Sequence, residues 1–235
     1  MNKINFSYAS NSEHNFVQRL IIKTIESFTG KKKLENLYKN YSINKKNPKT
    51  FWTDILNEMQ IKIINKSLHE FTIPKSGPLL VIANHPFGII DGLILCSLVS
   101  QFRDDFKIMT HETLQFLPQL EQFILPVDFS GKTKESKILN IQTAKAAKSH
   151  LCNNGVVIIF PSGGVSVAKD LKSEAIDDEW KLFPAKLIHQ TEASVLPIYF
   201  DGKNGLLFHF FAAKIKNQTL KYSAYIHETR KKIGK

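Results

Sequence analysis

A chain of 235 residues with 43% hydrophobic and 23% charged residues, 9 prolines and 11 glycines can bury one large core and is too poor in proline and glycine for extended disorder. Cys96 and Cys152 lie far apart in apolar surroundings with no histidine at metal-ligand spacing, so they read as reduced core residues of a cytoplasmic protein, not as a disulfide or metal framework. The opening MNKINFSYASNSEH has no apolar signal-peptide stretch, and no apolar run approaches the roughly 20 residues that cross a bilayer, so no membrane-spanning segment is expected.

The net charge of +11 is unevenly spread. Residues 1–50 hold ten Lys or Arg against three Glu, and residues 214–235 hold seven against one. The middle is left with 15 basic and 17 acidic residues. Basic ends suit an anionic partner, whether a phospholipid surface, nucleic acid or an acidic carrier protein, while a lysine-rich solvated face is the plain alternative.

In chain order, Phe16, Val17, Leu20, Ile21, Ile25 and Phe28 fall at helical spacing behind Ser12 as an N-cap. Lys31-Lys32-Lys33 leads into a second helix over 34–41, and the polar turn around Pro48 closes a basic amphipathic segment, 1–50, ahead of a domain spanning 51–235. From Phe51 the pattern alternates. Helix is predicted at 51–59, strand at 63–71, a turn at 74–78 and a buried strand at Leu79–Ala83. A helix starts near Asp91. Strand follows at 107–109, a short helix at 112–123, strand at 124–128 and helix at 136–151. The run 156–160 is the most apolar strand, a helix covers 180–190, and strands cover 193–200 and 206–211. This order implies an α/β fold, with a mixed, mostly parallel central sheet flanked by helices and preceded by a helical N-terminal segment. Pro197 places its strand at a sheet edge or bulge.

The stretch Leu79 to Gly92 carries the clearest chemistry. Its strand ends at Ala83, polar residues follow at Asn84 and His85, and a helix begins at Asp91; open α/β sheets bind ligands at such carboxyl ends. A histidine can take a proton from a hydroxyl, and a carboxylate on its other nitrogen fixes the tautomer and steadies the imidazolium. His85 and Asp91 can fill those roles if the turn through Pro86 and Gly88 folds back. The competing reading is a plain turn with Asp91 capping a helix. After the strongest strand comes Phe160-Pro161-Ser162-Gly163-Gly164-Val165-Ser166, whose glycines let backbone N–H groups approach an anion or an acyl-transfer oxyanion. His69, His111, His150, His189 and His209 have no partner at catalytic spacing, although His111-Glu112 is close to a later block.

Four segments in order, Asn84-His85-Pro86 through Asp91, Ile124 to Phe129, Phe160 to Gly163 and Val195 to Ile198, resemble the four blocks of the glycerolipid acyltransferase superfamily, which includes lysophosphatidate acyltransferases. The resemblance spans roughly residues 50–212. It implies a His85 base paired with Asp91 and direct attack of a lysolipid hydroxyl on acyl-CoA or acyl carrier protein, with no metal, cofactor or covalent acyl-enzyme. It also implies substrate contacts from Asn84, Gly88, Asp128 and the loop residues Phe160, Pro161, Ser162, Gly163, Gly164 and Ser166. The resembled pattern usually has four residues between His and Asp, where this chain has five. Ser162 and Val165 stand where that pattern has a Glu and an Arg, and Phe129 where it has another Arg. Two cationic contacts to a phosphate are therefore missing. The five-residue spacing is similar to a hemolysin-like branch that includes lyso-ornithine-lipid and related aminolipid O-acyltransferases. That branch implies a lyso-aminolipid acceptor and a peripheral enzyme on the cytoplasmic side of the inner membrane. Relatives of this kind continue with further sheet past the position of Lys235, so a C-terminally shortened chain is one reading.

Three alternatives stand beside this one. Lysophosphatidate acylation keeps the same blocks. A serine lipid hydrolase would use Gly164-Val165-Ser166-Val167-Ala168 as a nucleophile elbow, but Ser166 lies six residues past Phe160 and the last glycine is Ala168. A basic binding module has no nucleic-acid motif to support it, so no nucleic acid is expected as partner.

Overall fold

The computed structural model describes residues 50–64, 72–112, 120–129, 133–170, 173–206, 208–209 and 227–234, together with Asn36. The predicted N-terminal helix at 12–28 and the Lys31–Lys33 run lie outside the described residues.

Two apolar runs set the centre of the sheet. Leu79–Ala83 (β1) and Val156–Ile159 (β4) are nearly continuous aliphatic text, as strands buried on both faces must be. They pair in parallel, Leu79 with Val156 through Ile82 with Ile159. Phe106–His111 (β2), Ile124–Val127 (β3) and Ser194–Ile198 (β5) complete a wholly parallel sheet in the order β3-β2-β4-β1-β5. Pro197 and Pro126 fall on the two edge strands, β5 and β3, where a missing N–H leaves no ladder bond unmade.

Helices cover both faces. Phe51–Glu58 (α1) and Ile89–Ser100 (α2) pack with Leu79, Val81 and Ile158 into one core that also holds the clustered rings of Trp52, Phe106 and Phe123. Lys134–Cys152 (α3) and Phe183–Thr191 (α4) lie on the other face, over Leu80, Val157 and Ile159. Because β1 alternates Leu79 and Val81 to one side and Leu80 to the other, one strand feeds both cores. Parallel strands with helical returns bring all five carboxyl ends to one edge.

The opposite edge is fastened by Arg103, only 5% exposed. Its guanidinium donates to the carbonyls of Pro74, Gly77 and Asn154 and grips the Asp105 carboxylate at 2.7 and 2.6 Å. That grip holds the Asp105 carboxyl below its usual range. A buried acceptor stripped of its donor costs about 1–3 kcal/mol, so Arg103→Met should destabilise the fold by about 3 kcal/mol. Turnover per folded molecule should not change, since this edge lies across the sheet from His85. Thermal melts beside initial rates would show both.

Four expectations are corrected. Leu206, Phe208 and His209 are helical, not a strand. An apolar run of this length fits a buried helix as well as a strand, and the Glu228 carboxylate accepting from Gly205 N at 2.8 Å places negative charge where helix starts are stabilised. The helix expected from 180 starts at Phe183, where Pro184 sits in its first turn. The short helix expected over 112–123 is represented by a 3-10 turn at Glu121–Phe123, with 113–119 outside the described residues. Of the strand expected at 63–71, Ile63 and Ile64 are exposed and irregular, and 65–71 lie outside the described residues. Among the described residues no helix is long and apolar enough to cross a membrane.

Candidate active site

At the carboxyl edge the chain leaves β1 through Asn84, His85, Pro86, Phe87 and Gly88 and enters α2. The fold-back rests on Gly88, with φ 72° and ψ −122°, a backbone that side-chain-bearing residues adopt only with strain. It brings His85 Nδ1 to 3.0 Å from Asp91 Oδ2. The same oxygen accepts from Phe87 N at 2.8 Å and Gly88 N at 3.0 Å. Two backbone N–H groups can only donate, so they favour an unprotonated Oδ2. His85 then donates its Nδ1 hydrogen and keeps the Nε2 lone pair on the side away from the carboxylate.

Asp91 is fully buried. Burial pushes its carboxyl above the ordinary range, opposed by the hydrogen bond and charge interaction with His85 and by the two backbone donors. Among the described residues its second oxygen, Oδ1, has no hydrogen-bond partner. The His85 side chain is 18% exposed, and the Phe160 ring at the end of β4 stacks on it at 3.8 Å between centroids. β4 and β1 are neighbours in the sheet, which is why residues 75 apart in sequence meet here.

Past Phe160 the chain makes a tight turn. Gly163 N donates to Phe160 O at 3.0 Å with Gly163 at φ 72°, and Ser162 Oγ donates to Gly164 O at 2.8 Å. Pro161 is buried and its carbonyl accepts from Lys181 N. Ser166 N donates to His85 O at 2.9 Å, which ties this loop to the backbone of His85. Val165 leans on Gly88: a methyl group added to that glycine would lie 3.4 Å from Val165 Cγ2. The Phe129 ring lies against Gly163 and stacks towards His111 at 6.0 Å.

The predicted residues are not all in one place. His85, Asp91, Gly88, Phe160 and Ser166 form one connected cluster, with Ser162, Gly163 and Gly164 in the adjoining turn. Asn84 clips two strand ends together, donating from Nδ2 to Phe200 O at 2.9 Å and accepting from Phe200 N at 2.7 Å. Asp128 exchanges backbone hydrogen bonds with the Asn140 side chain of α3. Beside it, burial lowers the affinity of His111 for a proton and raises that of Glu112, the latter also through the Asp128 charge. His209 is buried between Ala168 N and Asn204 O, a neutral structural pairing.

Asp177 is the residue that sequence reasoning missed. Its Oδ1 accepts from His85 N at 3.1 Å and from Ser166 Oγ, and its Oδ2 from Trp180 Nε1 at 2.9 Å. It lies 92 positions from His85, and its only signal is an acidic cluster, Asp177-Asp178-Glu179, beside a tryptophan. The nucleophile elbow does not form. Ser166 is 1% exposed, gives its hydroxyl hydrogen to Asp177 and stands in an irregular loop, not on a strand-to-helix turn. Among the described residues no group of three or more His, Cys, Asp or Glu is placed to hold a metal.

A parallel α/β sheet carrying a buried carboxylate, a histidine and a glycine-rich turn at one edge defines a class of proteins able to move a proton from a bound hydroxyl. A family model for the acyltransferases matches residues 66–201, more than half of the chain and all of this edge from β1 to β5, and the chain belongs to that family. It is 26% identical over 153 residues to a lyso-glycine lipid O-acyltransferase of Phocaeicola vulgatus, covering 64% of this chain and 52% of the relative. A protein of the same name from Bacteroides thetaiotaomicron is 27% identical over 158 residues, covering 64% and 53%. The chain thus spans about half the length of the curated relatives it matches. No solved structure matches it. The family match bears out the expected membership of the glycerolipid acyltransferase superfamily, and both relatives are named for the acylation of a lyso-glycine lipid.

Proposed function

We propose that this chain transfers a fatty acyl group from a thioester to the hydroxyl of a lyso-aminolipid, with His85 as general base. The observation that carries the reading is the Asp91–His85 pair, held so that Nε2 is left as a lone pair. The acceptor hydroxyl gives its proton to Nε2 while its oxygen attacks the thioester carbonyl. The C–S bond then breaks, and the imidazolium returns the proton to the departing thiolate. Asp91 orients the ring and steadies its charge. Base and leaving group complete the proton balance, so the scheme calls for no cofactor; the donor is acyl-CoA or acyl carrier protein.

The loops favour an acceptor without a phosphomonoester. Val165 presents a methyl group to Gly88, and Phe129 lays its ring on Gly163. Apolar groups thus occupy two places where a phosphate-binding relative would offer cations. Both relatives are named for a lyso-glycine lipid. With lyso-glycine lipid and lysophosphatidate competing in one assay, the aminolipid should lead by about 10- to 100-fold in kcat/KM, the scale of one charge-assisted hydrogen bond. A preference for lysophosphatidate would return the assignment to glycerophospholipid synthesis. We place the enzyme peripherally on the cytoplasmic face of an anionic membrane, held there by its basic ends.

A further inference from the structure

The face of the sheet covered by α3 and α4 carries a groove that the chemistry above does not use. It is about 260 Å³ in volume, with Ala144, Phe183 and Leu187 along its floor and Ile141, Lys145, Lys148 and Lys186 on its banks. The pattern is written into α3. Lys134, Ile138, Ile141, Lys145 and Lys148 recur at steps of four, three, four and three, one continuous stripe of an α-helix. Ile138 and Ile141 on that stripe are 45% and 56% exposed. The two helices hold five lysines, counting Lys137, against one acid, Glu135, which lies about 120° around the helix from Ile141.

An apolar floor between lysine banks selects its occupant. A second copy of the chain would set lysines against lysines. The chain's own first 50 residues, with ten Lys or Arg against three Glu, would be repelled in the same way. A flat lipid surface meets the lysines and the exposed Ile141 but leaves Ala144, Phe183 and the buried Leu187, recessed between the two helices, uncovered. What fits is a third helix whose apolar stripe is flanked by Asp and Glu. The location adds a purpose: α3 and α4 both begin at the carboxyl edge of the sheet where His85 stands, and Ile141 is seven residues, about 10 Å, along α3 from that edge.

We infer that this groove docks an acidic helix of a small carrier protein that bears the acyl thioester and delivers it to His85. The inference rests on the acyl-transfer reading for its purpose, but not for the contact itself. The test compares wild type with a Lys145→Glu, Lys148→Glu, Lys186→Glu variant, using acyl carrier protein and CoA thioesters of one acyl chain, together with direct binding of unacylated acyl carrier protein. The variant should raise KM for the carrier-protein thioester about tenfold or more and weaken binding of the free carrier equally, with wild-type affinity falling steeply as salt is added. Turnover of the CoA thioester should be unchanged, which also reports that the variant folds. Should both thioesters fail in wild type while carrier binding is still lost in the variant, the docking surface stands and the proposed reaction falls. Carrier binding that is absent, or equal in both proteins, overturns the inference. Loss of binding to anionic vesicles with carrier affinity intact would also overturn it and make the groove a lipid-facing surface.

Discussion

Replacing His85 with alanine is expected to lower acyl transfer by about 10² to 10⁴ while leaving the protein folded, the range over which a positioned general base acts. The fold should survive because little depends on the imidazole. Its side chain is 18% exposed, and Asp91 Oδ2 keeps two of its three donors, the amides of Phe87 and Gly88. The losses are one hydrogen bond and one ring stack on Phe160, together about 1–2 kcal/mol. The cavity left against Phe160 should admit imidazole from solution, so added imidazole should restore part of the rate to His85→Ala and none to the wild type. A folded variant turning over at the wild-type rate would remove His85 from the reaction.

The legibility of this fold follows from where each residue's environment is decided. Leu79–Ala83 and Val156–Ile159 are buried on both faces, and a continuous aliphatic run has few other uses. Pro197 marks an edge because a central strand would miss its N–H, and β5 is an edge. The His85–Asp91 approach was legible as a possibility because one glycine turn closes it. The stretch 206–209 was not, since its apolar run is equally good helix, and its choice depends on Glu228, a residue 23 positions from Gly205. Asp177 was illegible for a similar reason: its three partners come from β1's exit, the glycine-rich loop and Trp180. Nothing local to an acid cluster says that it will be drawn beneath a histidine's backbone. The α3 lysine stripe was present in the sequence, but it became a groove only when α4 packed beside it over Leu80 and Val157.

Asp91→Asn is the sharpest separation of activity from stability. The backbone amides of Phe87 and Gly88 require an oxygen where Oδ2 stands, so the Asn carbonyl should take that place and the His85 tautomer should persist. What disappears is the negative charge that steadies the imidazolium in the transition state. Opposite charges about 4 Å apart at an effective dielectric near 20 interact by about 4 kcal/mol, so the loss should be on the order of 10³ in kcat. Stability should move the other way with pH. Burial raises the Asp91 carboxyl above its ordinary value of 3.8, so the folded state holds that proton more tightly than the unfolded state does. Wild-type stability is therefore greatest below 3.8 with respect to this group, falls as pH rises through the window up to the raised value, and stays reduced at neutral pH. The amide has no such titration. Melting temperatures measured from pH 3 to pH 8 should show Asp91→Asn gaining on the wild type as pH rises through that window and holding the gain above it, with its turnover depressed at neutral pH. Parallel melting profiles would mean that Asp91 carries no burial penalty as an anion, and the donors on Oδ2 would then have to compensate its desolvation in full.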